Sequence, residues 1–211
     1  MDDPMPEITT LLTYLAVLTG FVFFPGPSIL LTLARASTSG TRVGVATSLG
    51  IALGDVVHTV LAVVGISAVL MASAQAFWVI KMLGAGYLIW IGLRSFLEKP
   101  DTGLTRARPI TARQALRQAM LAEALNPKSA LFFLAFLPQF VDPARGTVAL
   151  QLTVLGLLFI IMGTLATMIV ALAAGRVSAF LRGNPAIQRW QGKVVGTVYC
   201  ALGLRLALQE R

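Results

Sequence analysis

Charge is what this chain has least of. Only 12% of its 211 residues are Asp, Glu, Lys or Arg, against about 25% in a soluble domain. Hydrophobic residues make up 56%, and mean hydropathy is +0.80. One globular core cannot hold that excess, because a domain of this size still presents a large surface to water. The composition therefore argues against a soluble, secreted or disordered protein. Cysteine is reduced to Cys200, which excludes an internal disulfide, a thiolate metal cluster and a dithiol redox pair. No G-x-x-x-x-G-K-S/T, H-E-x-x-H or G-x-S-x-G string occurs, so nothing supports ATP hydrolysis, zinc proteolysis or a serine elbow. No cofactor and no enzyme activity are expected. The N-terminus carries Asp2, Asp3 and Glu7 rather than the basic start of a signal peptide, so the first apolar stretch is expected to stay in the mature protein.

What the chain does have is long apolar runs. A helix needs about 20 mostly apolar residues to cross a bilayer. Six stretches qualify, at about 8–34, 43–72, 76–93, 116–138, 148–175 and 190–208. They leave little for a soluble domain. The expectation is an all-α integral membrane protein, a single domain over 1–211 with the bilayer as its partner. The formal charge of +8 fits this better than nucleic-acid binding, because basic residues of membrane proteins gather in cytoplasmic loops. Twelve of the 17 basic residues lie between spans 1 and 2, 3 and 4, or 5 and 6, counting Arg117 and Lys193 in the first turns of spans 4 and 6. The positive-inside rule makes those loops cytoplasmic and puts both termini outside. Thr111-Ala-Arg-Gln114 closes the longest loop with a capping-box pattern,.

Two spans are interrupted: the first by Pro25-Gly26-Pro27, the fourth by Asn126-Pro127-Lys128. The two breaks are 102 residues apart. Trp78-x-x-Lys81-x-x-Gly84-x-x-Tyr87 returns as Trp190-x-x-Lys193-x-x-Gly196-x-x-Tyr199, offset by 112. Residues 8–94 thus read as one three-helix repeat and 116–208 as a second, joined by a loop at about 95–115. Three is odd, so the second copy enters from the opposite side, an inverted repeat with broken helices 1 and 4, as in secondary transporters.

Proline has no N–H and clashes with the carbonyl one turn earlier. Pro25 and Pro27 therefore free the carbonyls of Phe21 and Phe23, and Pro127 frees that of Glu123. Free carbonyls cannot face lipid. Each new half-helix also begins with unpaired N–H groups and a positive dipole end, which suits a carboxylate. Ser28 adds a hydroxyl at one break; Asn126 and Lys128 add donors at the other. These residues are the candidate substrate site, with a plain structural kink as the competing reading of each break. Ionisable residues inside the spans form a second set: Asp55, His58, Lys81 and Glu123. Such residues usually pair or line a wet pathway. Asp55 could pair with Lys81 or Lys128, either as a static salt bridge or as part of a coupling site. His58 follows Asp55 at i+3 on the same face, and the two are suited to carry a proton because histidine titrates near neutral pH. His58 also reads as a hydrogen-bonded packing residue, and Lys81 and Glu123 as chains that snorkel to an interface. Gly50-x-x-x-Gly54 and Gly192-x-x-x-Gly196 permit close helix packing, read as internal contacts; a homo-oligomer stays open.

At these residues the chain resembles a known family. Phe24-Pro25-Gly26-Pro27, Gly50-Ile-Ala-Leu-Gly54-Asp55-Val-Val-His58, the string from Lys81 to Arg94, and Asn126-Pro127-Lys128 continued to Phe140 and Val141 are similar to motifs of the lysine exporter and homoserine/threonine exporter (LysE/RhtB-type) family. The resemblance runs from about residue 10 to 208. It implies a six-helix bacterial inner-membrane exporter of amino acids or close derivatives, driven by protons. Two departures stand out: Ser28 replaces the usual Asn after Pro-Gly-Pro, and Glu123 stands where a small or neutral residue is more usual. An amino acid would then bind between the two breaks, with Asp55 or Glu123 holding its ammonium group or exchanging a proton. The alternatives are efflux of a metal cation or another small solute, or an intramembrane protein without transport. Lys81 and Lys128 oppose the cation, and no metal ligand set is expected.

Overall fold

The computed structural model describes residues 6–23, 26–66, 74–97 and 109–183, with positions 190, 193, 196, 197, 200, 201, 203, 204, 207 and 208. Every regular element among them is helical. In chain order they are α1 (Ile8–Phe23), α2 (Pro27–Ser39), α3 (Thr41–Leu61) with a π-helical extension (Ala62–Ile66), and α4 (Ala74–Leu97). There follow α5 (Ala112–Ala124), α6 (Pro127–Leu131), a π segment (Phe132–Phe136), two 3₁₀ turns (Leu137–Phe140 and Pro143–Arg145), α7 (Val148–Leu172) and α8 (Ala174–Gly183). Thr111 starts α5 with the expected capping box.

Two helical stretches among the described residues, Thr41–Gly65 and Val148–Leu172, are long and apolar enough to cross a membrane. The number rises to four if each bent pair is one span: α1 with α2 at 45°, and α5 with Pro127–Phe140 at 42°. The 25 residues of α7 extend about 38 Å at 1.5 Å per residue, more than the ~30 Å hydrocarbon core. Both bends fall at the proline motifs. In each, the proline takes the first position of the new helix, after Gly26 in α2 and after Asn126 in α6. There its missing N–H costs nothing and its φ is already helical. The expected third span lies within α4. Nine of the 19 residues of the expected sixth span, the centre of the 95–115 loop, and Pro25 lie outside the described residues.

The helices are polar inside and apolar outside. α3 buries Thr47, Ser48, Asp55, His58 and Thr59 while turning Leu49, Leu53, Val56 and Val60 outward. α7 exposes Leu157, Ile161, Leu165, Ile169 and Leu172, a stripe at helical spacing, and buries Leu152, Leu155, Phe159 and Gly163. In water such a stripe would drive aggregation; in lipid it is the solvated face. Helices in lipid gain nothing from hiding apolar side chains, so they associate through small residues and internal hydrogen bonds. α3 packs most extensively on α5, then on α7. Its Gly50 and Gly54 face α5: a Cβ on Gly50 would run into the Leu116 carbonyl and the Ala119 side chain, one on Gly54 into Glu123. The Gly-x-x-x-Gly motif is thus an internal contact. On the other side, Ser48 Oγ meets Thr167 Oγ1 at 2.6 Å, tying α3 to α7.

Aromatic rings fill the remaining space. Tyr14, Phe21, Phe132, Phe133, Phe136, Phe140 and Phe159 form one buried cluster, and the Tyr14 hydroxyl donates to the Leu155 carbonyl at 2.8 Å. Polar contacts join the helices at both ends. Glu7 pairs with Arg145 at 2.6 Å at one end. At the other, Arg35 donates to Gln118, and Ile110 N–H to Ser39 Oγ.

The close approach of α3 to α5 gives a direct test. Gly50→Val is expected to lower thermal stability in detergent by at least the ~1–3 kcal/mol usual for overpacking, since backbone rather than a side chain would have to move. Gly20→Val, where nothing lies within 4 Å of an added Cβ, serves as the control and should shift the unfolding temperature far less.

Candidate functional site

The two helix breaks come together. Gly26, Ser28 and Ile29 of the first, and Glu123, Lys128 and Ser129 of the second, line one cavity with Asp55 of α3 and Phe159, Gly163 and Thr167 of α7. Its volume is about 30 Å³, room for a water molecule or two.

Two of the three carbonyls that proline sets free, those of Phe21 and Glu123, are met by side chains from across the fold. Phe21 O, at the end of α1, accepts from Lys128 Nζ at 3.2 Å. The same ammonium lies 4.3 Å from the centre of the Phe21 ring, a cation–π contact. Gly26 makes this approach possible, because a Cβ there would sit 2.8 Å from Lys128 Nζ. Glu123 O, at the end of α5, lies 2.8 Å from His58 Nε2. A carbonyl only accepts, so this ring nitrogen carries the proton. His58 also stacks on Phe133, with centroids 5.6 Å apart. The packing reading of His58 therefore describes its contacts, and its hydrogen bond goes to a freed carbonyl rather than to Asp55.

Glu123 is the hub of the site. It is 3% exposed, so it does not snorkel to an interface. Ser28 Oγ donates to its Oε2 at 2.6 Å, Asn126 Nδ2 donates to Oε1 at 3.0 Å, and Ser129 Oγ donates to the same Oε1. Ser28 and Asn126 also touch each other at 3.3 Å. Asn126 uses its Oδ1 to cap α6, accepting the Lys128 N–H at 3.0 Å, which stabilises a helix start in the ordinary way. α2 has no such side-chain cap.

Asp55 is 2% exposed, and its Oδ1 reaches no hydrogen-bond partner among the described residues. Lys128 shares the cavity with it, but no ion pair within 4.0 Å joins Asp55 to Lys128 or Lys81 among those residues. The static salt bridge gives way to two opposite charges across a small space. Lys81, also expected to reach an interface, is 4% exposed on α4 and does not line the cavity. Among the described residues no three His, Cys, Asp or Glu side chains gather as a metal site.

Sequence reasoning missed Ser129 and the α7 wall. Ser129 follows Lys128 directly and is one turn beyond Asn126, so helical spacing from the break was a usable signal. Gly163 and Thr167 are four apart, the small-residue spacing that marks close packing.

A model of the LysE type translocator family matches residues 20–210 of the chain. An uncharacterized membrane protein of Vibrio cholerae is 31% identical, over 95% of this chain and 98% of that protein. The homoserine/homoserine lactone efflux protein of Salmonella typhimurium is 30% identical, over 92% of this chain and 94% of its own. The leucine efflux protein of Klebsiella pneumoniae is 27% identical, over 93% and 95%. No solved structure matches.

The freed carbonyl beneath His58 yields a prediction. His58→Phe keeps the ring against Phe133 but leaves Glu123 O without its side-chain donor. Glu123 O keeps the Asn126 N–H at 2.9 Å, so the loss is that of one buried hydrogen bond, about 0.5–1.5 kcal/mol. The variant should unfold at a lower temperature than wild type in detergent; equal unfolding temperatures would show that the bond contributes nothing.

Proposed function

The chain belongs to the LysE type translocator family, and from that premise we propose that it exports amino acids or close derivatives across the bacterial inner membrane by secondary active, proton-coupled efflux. Efflux relatives named for homoserine, homoserine lactone and leucine support the substrate class. The observation that carries the mechanism is the buried carboxylate of Asp55, whose Oδ1 lacks a donor among the described residues and which lines the cavity between the two breaks. Buried polar atoms are nearly always partnered, and an intramembrane acid that is not is a place for a proton or a substrate ammonium group.

In this reading the substrate lies between Pro25, Gly26, Pro27 and Ser28 on one side and Asn126, Pro127 and Lys128 on the other. The uncapped start of α2 and the Lys128 ammonium face its carbonyl end. Asp55 faces its amino end, and Glu123, His58 and Lys81 set the charge around it. Ligand pockets run to about 300–1,000 Å³, so a cavity of about 30 Å³ must open before a substrate enters. That need supports alternating access by rocking of two inverted three-helix halves, six spans in all. The basic loops support both termini on the outer side.

Cells expressing the protein should accumulate less leucine or homoserine than cells without it. In vesicles loaded with either amino acid, an imposed proton gradient should drive uphill efflux, and Asp55→Asn should abolish it at unchanged protein level. Unchanged uphill transport in that variant would remove Asp55 from the coupling; equal accumulation with and without expression would remove the efflux reading.

A further inference from the structure

Three donors converge on one carboxylate at the centre of the site. Ser28 from α2, and Asn126 and Ser129 from the second break, all donate to Glu123. An ionised carboxylate only accepts, and short bonds from several donors suit its charged form. These are the donors that the carboxylate of an amino acid would need. The neighbouring donors are engaged as well: Lys128 Nζ donates to Phe21 O, and the Lys128 N–H to Asn126 Oδ1. Among the side-chain atoms of the described residues, the one that faces the cavity without a partner is an acceptor, Asp55 Oδ1. The site therefore has a filled position for an anion and an open one for a cation.

We propose that Glu123 is a resident carboxylate occupying the anion position, so that the site takes substrates bearing an ammonium group but no free carboxylate: amino acid amides, esters or lactones. This rests on the efflux reading and narrows it from amino acids or derivatives to the derivatives. A free amino acid would bring a third carboxylate to a cavity whose lining sets the one ammonium of Lys128 against Glu123 and Asp55, and the excess like charge in a desolvated site repels strongly. A neutral carbonyl brings no charge and needs only one donor. The ammonium group goes to Asp55.

The test is calorimetric titration of the full chain in detergent with leucine and homoserine, each as the free amino acid and as its carboxamide. At about pH 6.5 the α-amino groups are charged. The carboxamides are expected to bind at least about tenfold more tightly than the free amino acids. Glu123→Gln, which removes the charge and keeps an amide among the same donors, should narrow that gap by tightening the free amino acids. Wild-type protein that binds the free amino acids as tightly as the amides, or a monodisperse Glu123→Gln protein with the gap unchanged, overturns the proposal. The same four compounds loaded into vesicles separate the two readings. Efflux of free amino acids in preference to amides defeats only the resident carboxylate; efflux of none defeats the export reading and this inference with it.

Discussion

A backbone carbonyl cannot be left bare inside a bilayer. Proline breaks two helices of this protein and strips the carbonyls behind them of their usual N–H donors. Water would repair that in a soluble protein; lipid does not. The Asn126 N–H supplies one local bond to Glu123 O; the rest of the repair comes from side chains across the break, Lys128 donating to Phe21 O and His58 to Glu123 O. Each side-chain bond joins a residue of the first 60 to one beyond 120. The breaks therefore hold the two parts of the chain together at the depth where the site lies.

The same constraint explains why so many polar groups are buried. With apolar side chains content in lipid, helix association depends on small residues and internal hydrogen bonds. Gly50 and Gly54 bring α3 against α5, and Ser48 with Thr167 brings it against α7. α3 is thereby pinned on two sides with Asp55 between them. The aromatic cluster around Phe132 closes the space behind the second break, where α6 passes into a π segment. Such segments are rare and recur at functional sites.

Charge at the site is arranged in layers of commitment. Lys128 and His58 serve the backbone. Ser28, Asn126 and Ser129 serve Glu123. Only Asp55 has an acceptor atom turned to the cavity without a donor among the described residues. A cavity this small, with nearly all its polar groups satisfied, describes a closed site whose opening must exchange hydrogen bonds rather than create them. That favours two discrete arrangements over gradual widening, as packed interiors generally do.

The amino-acid sequence alone determined the solvent, the helical class and the location of the site. Scarce charge and long apolar runs leave lipid as the only medium, and proline marks the helix breaks by a covalent fact, its missing N–H. From that fact the free carbonyls of Phe21 and Glu123 could be named. Which group meets each carbonyl was decided only by tertiary structure, because the partners lie 65 to 107 residues away and several cations were available. Glu123 shows this best. By local sequence it reads as a lone acid that snorkels to an interface, and only the convergence of α2, α5 and α6 surrounds it with donors. Asp55 is the converse: sequence offers it two lysines as partners, but the packing of α3 between α5 and α7 leaves its Oδ1 facing the cavity with no hydrogen-bond donor among the described residues.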